Sequence, residues 1–106
     1  MYATVRTYRA DQGQIEEMLG ILDSDFIPKI TEQDGFCGYQ AIETGDGGLV
    51  TVSCFTSREQ AEASTEVAAT FIKEKLSDFD IERTDVKSGA IRVSVAVQEM
   101  LEPAHV

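Results

Sequence analysis

A chain of 106 residues, 42% apolar and 26% charged, has the makeup of one globular domain and too little length for a second core. Its 19 acidic and 9 basic residues give a net charge of −10 and a pI near 4.3. Such a surface repels phosphate backbones and anionic lipid, so neither nucleic acid nor a membrane is an expected partner. No apolar run approaches the roughly 20 residues of a membrane helix, and Met1 to Arg6 lacks a basic-then-apolar leader pattern, which together point to a cytoplasmic protein.

Tyr2 to Arg9 alternates and is rich in β-branched and aromatic residues, as a half-buried strand requires. Asp11, with Gln14 three residues on, resembles a capping box and predicts a helix start. Ile15, Met18, Leu19, Leu22, Phe26 and Ile30 then fall at helical spacing, giving a helix over 14–31 with a kink or tightened turn at Pro28. Gly35 ends it, and 36–44 reads as a second strand. Gly45-Asp46-Gly47-Gly48 is a hairpin signal, since a type I′ turn needs positive φ at both central residues, and 49–55 is the third strand.

Ser57 and Gln60 repeat the capping-box spacing, and Ala61, Thr65, Ala68, Ala69, Ile72 and Leu76 carry a second, alanine-rich helix. Residues 78–85 are polar and read as loop. Ala90 to Gln98 alternates, with Ile91, Val93, Val95 and Val97 on one face, and reads as the fourth strand. The domain is thus placed at 1–98, with 99–106 as a tail. The order is βαββαβ, a ferredoxin-like α+β protomer with a four-stranded antiparallel sheet and two helices on one face.

The Asp46-Gly47 turn predicts that Tyr39 opposes Cys54 and Gln40 opposes Ser53. Cys37, Tyr39, Ala41, Val50, Val52 and Cys54 then share one hairpin face, which as the more apolar set is sent toward the helices with Ala3 and Val5. Tyr2, Thr4, Arg6, Tyr8, Gln40, Ile42, Thr51, Ser53, Phe55 and Arg92 are left on the uncovered face. That mixed surface either meets a partner sheet or lines a pocket; pairing with a second copy of the chain does both.

Gly35-Phe36-Cys37-Gly38-Tyr39, Leu49-Val50-Thr51-Val52-Ser53-Cys54-Phe55, Ser57-Arg58-Glu59-Gln60-Ala61, Ala63-Ser64, Val67-Ala68-Ala69 and Gly89 together resemble the antibiotic-biosynthesis-monooxygenase-like proteins of the dimeric α+β barrel superfamily. The resemblance spans about residues 2–97. It implies a homodimer, a cavity on the sheet for a small aromatic ligand, and, in some members, monooxygenase activity that uses no cofactor. The chain departs from the catalytic patterns of that family. It has no asparagine and no tryptophan, and its one histidine, His105, lies in the tail. Phe55 stands where many relatives place a tryptophan, and Ser64 where many place a histidine. Haem ligation and transfer of the catalytic set are therefore not implied, and no cofactor is.

The candidate ligand-binding residues are Arg6, Tyr8, Gln40, Ser53, Phe55 and Arg92. An arginine recognises a carboxylate or phenolate well, and its alternative is an ion pair at the rim. Tyrosine hydroxyls donate hydrogen bonds, or stay wet while the ring packs. Gln40 and Ser53 either anchor a polar group or bond to each other. Cys37 and Cys54 have no histidine nearby in sequence and read as buried structural thiols. No carboxylate pair, phosphate loop or metal-ligand spacing is visible. The sequence leaves two main functions open, a monooxygenase-like protein of small aromatic ligands and a dimeric interaction or stress-related module without a substrate; a third, a ligand-sensing regulatory domain, is disfavoured by the lack of a DNA-binding segment.

Overall fold

The computed structural model describes residues 1–95. β1 (Tyr2–Ala10) ends at Asp11, whose carboxylate accepts from the Gly13 N–H at 3.0 Å and starts a short 3-10 turn. The predicted first helix follows in three pieces: α1 (Ile15–Ile21), a π-helical turn (Leu22–Phe26) and α2 (Ile27–Thr31). Pro28 sits in the first turn of α2 and lacks the N–H that would continue the ladder. The turn just before it widens instead, and the Ile27 N–H reaches the Leu22 carbonyl, five residues back.

β2 (Phe36–Gly45) and β3 (Gly48–Phe55) form the predicted hairpin, with φ of 52° at Asp46 and 80° at Gly47. A Cβ at Gly47 would collide with the Ala10 carbonyl, so glycine is required there twice over. α3 (Arg58–Lys75) starts on a complete capping box: Gln60 N–H donates to Ser57 Oγ at 3.2 Å, and Ser57 N–H donates to Gln60 Oε1 at 3.1 Å. β4 (Ile81–Ala90) closes the sheet, whose order is β2-β3-β1-β4, antiparallel throughout. The fold is the ferredoxin-like α+β arrangement that the sequence implies.

Four expectations change. The fourth strand is Ile81–Ala90, where the sequence reads as loop and the start of strand; residues 91–95 lie past its end, with Val93 and Val95 exposed. An edge strand tolerates a polar sequence such as Ile-Glu-Arg-Thr-Asp-Val-Lys, because only one of its margins is paired; every residue of this strand after Ile81 is exposed. The rest of that predicted strand and the tail, His105 included, lie outside the described residues.

The hairpin register shifts between Glu43 and Gly45, so Tyr39 opposes Ser53 and Gln40 opposes Val52. One extra residue flips every side chain beyond it.

The covered face is also the opposite one for β1 and β3. Thr4, Arg6 and Tyr8 with Leu49, Thr51, Ser53 and Phe55 are buried beneath the helices. Val5, Val50, Val52 and Cys54 point the other way and are at least partly exposed. Choosing the more apolar set as the core fails here because the polar set bonds to itself and to α3. Cys37 is exposed and Cys54 half-buried, and both are free thiols.

Between sheet and helices lie Ile15, Met18, Phe26 and Ile30 from the first helical layer, Ala61, Ala68, Phe71 and Leu76 from α3 and its end, and Phe55 from β3. Each large side chain in this set contributes about 1.5–3 kcal/mol by leaving water. Small Ala61 and Ala68 let α3 approach the sheet, and Phe26 packs tilted against Phe71 at 5.0 Å.

Candidate functional site

Arg6 rises from the middle of β1 into this interior, with 1% of its surface exposed. Its Nη1 donates to Ser53 Oγ at 3.1 Å on the neighbouring strand. Its Nη2 donates to Ser64 Oγ at 2.9 Å and to Thr65 Oγ1 at 3.0 Å, both on α3. The Ser64 hydroxyl in turn donates to the Ala61 carbonyl at 2.6 Å, which leaves its lone pairs for the guanidinium. Arg6 Nε has no partner.

Every acceptor around Arg6 is a neutral hydroxyl. The ion pairs formed among the described residues, Arg58–Glu62 and Lys87–Asp85, lie elsewhere on the surface. A guanidinium taken out of water without a counter-charge costs several kcal/mol. Desolvation pulls its pKa down, opposed by the nearby phenols of Tyr8 and Tyr39 and assisted by Arg83. It nevertheless remains a cation at neutral pH.

Around that cation the walls are apolar and aromatic: Leu22 and Phe26 from the π-helical turn, Tyr8, Tyr39 and Leu49 from the sheet, and Phe71 and Ile72 from α3. The free space between them is about 20 Å³, room for a single water. Tyr8, Ile72 and Ile81 also line an adjoining outer recess of about 180 Å³, completed by Ala69 and Arg83. Burial pushes the Tyr8 phenol up, while Arg6, Arg83 and Thr51 pull the other way. Burial pushes Tyr39 up strongly too, and its ring packs on Phe26 at 5.4 Å. Both phenols are therefore neutral donors at physiological pH.

Of the six candidates, Arg6 and Tyr8 line the cavity and Ser53 holds Arg6 from below. Phe55 is fully buried on the same face, edge-on to Phe36 at 5.9 Å, and belongs to the core beside the site. Gln40 is exposed, and its partner Val52 is on the uncovered face. Arg92 is exposed beyond β4. Sequence reasoning passed over Ser64 and Thr65 as partners of Arg6, although hydroxyls on adjacent positions of a buried helix face were a usable signal. Arg83 was missed because its segment read as loop. Among the described residues no helix is long and apolar enough to cross a membrane, and no group of three or more metal-ligating side chains is found.

No protein-family model and no curated protein matches the chain. Solved structures do. A dimeric ferredoxin-like protein from an uncultured marine organism superposes with a TM-score of 0.70 at 15% identity, over 91% of this chain and 98% of that one. A putative antibiotic biosynthesis monooxygenase from Chloroflexus aurantiacus gives 0.66 at 15% identity, over 90% and 96%. A monooxygenase from Streptomyces coelicolor, solved in complex with nanaomycin D, gives 0.66 at 14% identity over 92% of each chain. At such identities the likeness is one of fold, and it matches the resemblance read from the sequence: this chain has the ferredoxin-like fold shared by dimeric proteins and by monooxygenases of the antibiotic-biosynthesis type.

Proposed function

We propose that the protein is a homodimeric, cytoplasmic binder of a small acidic aromatic compound, taken up between helices and sheet with Arg6 as the anion-recognising group. The observation that carries this reading is a fully buried guanidinium with no carboxylate partner and an unbonded Nε, beside an aromatic-walled cavity. A phenolate or carboxylate supplies the missing charge, and Tyr8 and Tyr39 supply ring contacts and neutral donors. The solved monooxygenase of the same fold, which holds nanaomycin D, supports a small-molecule occupant.

Holding a phenol as its anion also prepares it for oxidation by dioxygen. A phenol plus one dioxygen gives a quinone plus one water, and the electrons come from the ring itself. Arg6 would favour the ionised phenol in this scheme; the chain's own groups need supply no redox centre.

The uncovered sheet face, with Val5, Val50, Val52 and Ile42, suits a second copy, as does the dimeric neighbour of the same fold. A second reading, a packed dimeric module without a substrate, is favoured by the interior free space of only about 20 Å³. Fluorescence titration with a naphthol decides between them. Saturable binding that Arg6→Met abolishes supports the first reading, with oxygen uptake over a panel of hydroxylated polycyclic compounds testing its oxidative step. No binding to the wild-type protein supports the module.

A further inference from the structure

A second arginine lines the recess that adjoins this site. β1 and β4 pair in register from Tyr2–Ala90 to Thr7–Asp85, and the pairing then shifts so that Tyr8 faces Arg83. Thr84 is the extra residue, anchored by its hydroxyl to the Thr7 carbonyl at 3.2 Å. Without that bulge Thr84 would oppose Tyr8, and Arg83 would point to the uncovered face. Bulges are a usual means of re-aiming one side chain beside a site. Here the bulge sets Arg83 opposite Tyr8 and among the residues lining the outer recess, which shares Tyr8, Ile72 and Ile81 with the Arg6 cavity.

Arg83, like Arg6, makes no ion pair among the described residues. In a chain with 19 acidic and 9 basic residues, two arginines sharing one tyrosine and no carboxylate is a pronounced local excess of positive charge. A recess of about 180 Å³ is smaller than the roughly 300 Å³ at which drug-sized pockets begin, so its occupant is compact.

We propose that Arg83 is a carboxylate-binding, specificity-determining residue, and that the ligand is a small aromatic acid carrying two acidic groups. The ring lies along Tyr8, its phenol or enol end is directed inward to Arg6, and its carboxylate stays outside on Arg83. This rests on the aromatic-ligand reading above and specifies which member of that class is taken. Arg83 also gives an otherwise anionic protein a local attractive field at the entrance.

Two fluorescent probes test it: a naphthol, and the hydroxynaphthoate that adds a carboxylate at the far end of the ring system. The hydroxynaphthoate is expected to bind about tenfold more tightly at low salt, the gain of one charge-assisted contact, and the advantage shrinks as salt rises. In Arg83→Gln the preference for the hydroxynaphthoate disappears and the two probes bind alike. Equal affinities for the wild-type protein, or a preference that survives in Arg83→Gln, overturn the role of Arg83 and leave the Arg6 reading standing. Failure of both probes to bind overturns the two together.

Discussion

The guanidinium of Arg6 and the hydroxyl of Ser64 meet at 2.9 Å, and this contact ties the middle of β1 to the second turn of α3. It joins the least neutralised charge in the interior to a helix whose alanines bring it close to the sheet. If the charge exists for a ligand, the empty protein bears its cost. Arg6→Met keeps much of the stem volume and removes the charge, so the variant should unfold at equal or higher denaturant, with a gain of about 1–2 kcal/mol, while binding is lost. Equilibrium unfolding in urea measures it. A loss of about 3 kcal/mol or more would mark Arg6 as a structural tie instead.

Ser64→Ala tests the same contact from the helix side. A hydrogen bond to a charged group contributes about 1.5–3 kcal/mol, so this variant should be less stable by about that amount. In the Arg6→Met background the same substitution should cost clearly less. The difference is the coupling energy of the pair, read from a double-mutant cycle. Additive effects would mean that Ser64 matters only for its bond to the Ala61 carbonyl.

Most of the fold was legible because its signals are local. The Asp11 and Ser57 caps, the helical stripes and the Asp46-Gly47 turn each name an element from a few adjacent residues. What escaped depends on irregularities that leave no local trace. The register shifts beside Cys37, Thr44 and Thr84 change which face later residues occupy, and alternation alone cannot reveal them. The edge position of β4 hid a polar strand, and with it Arg83. Alternation sends Arg6, Tyr8 and Ser53 to the face opposite the helices, and they sit beneath them.

Burial pushes the pKa of Tyr39 and Tyr8 above the ordinary phenol value, so the folded protein retains phenolic protons that the unfolded chain releases above about pH 10. Stability from this source is fully present below that pH and falls as pH rises toward the folded-state values. The prediction is an alkaline loss of stability accompanied by tyrosinate absorbance appearing together with unfolding. Tyr39→Phe keeps the ring against Phe26 and should shift the alkaline midpoint upward. An unchanged midpoint would place the sensitivity elsewhere.

The thiols offer a check on the sheet face. Cys37 is exposed at the edge strand, and Cys54 is half-buried with its thiol pushed up, by burial first and then by Cys37. Cys37 should be alkylated first in the native protein at neutral pH, and Cys54 more slowly. Peptide mass spectrometry after timed alkylation resolves the order. Protection of both in the wild-type protein, relieved by a substitution that dissociates it, would place them inside an interface.

Val52 stands in the sheet's second strand from the β2 edge and pairs with Val5 across the β1–β3 ladder, both on the side no helix covers. Val5 is 38% exposed and Ile42 45%, so a contiguous apolar strip faces water in the isolated protomer. A sheet face of this kind is stable when stacked on another about 10 Å away, where side chains interdigitate. Val52→Glu would put a carboxylate into the middle of that contact and, by symmetry, close to its counterpart on the second copy. The wild-type protein should sediment as a dimer at micromolar concentration and Val52→Glu as a monomer, with its helical circular dichroism preserved because the core lies on the other face. A wild-type monomer would remove the dimer from the proposal and leave the Arg6 reading standing, since that reading rests on contacts within one protomer.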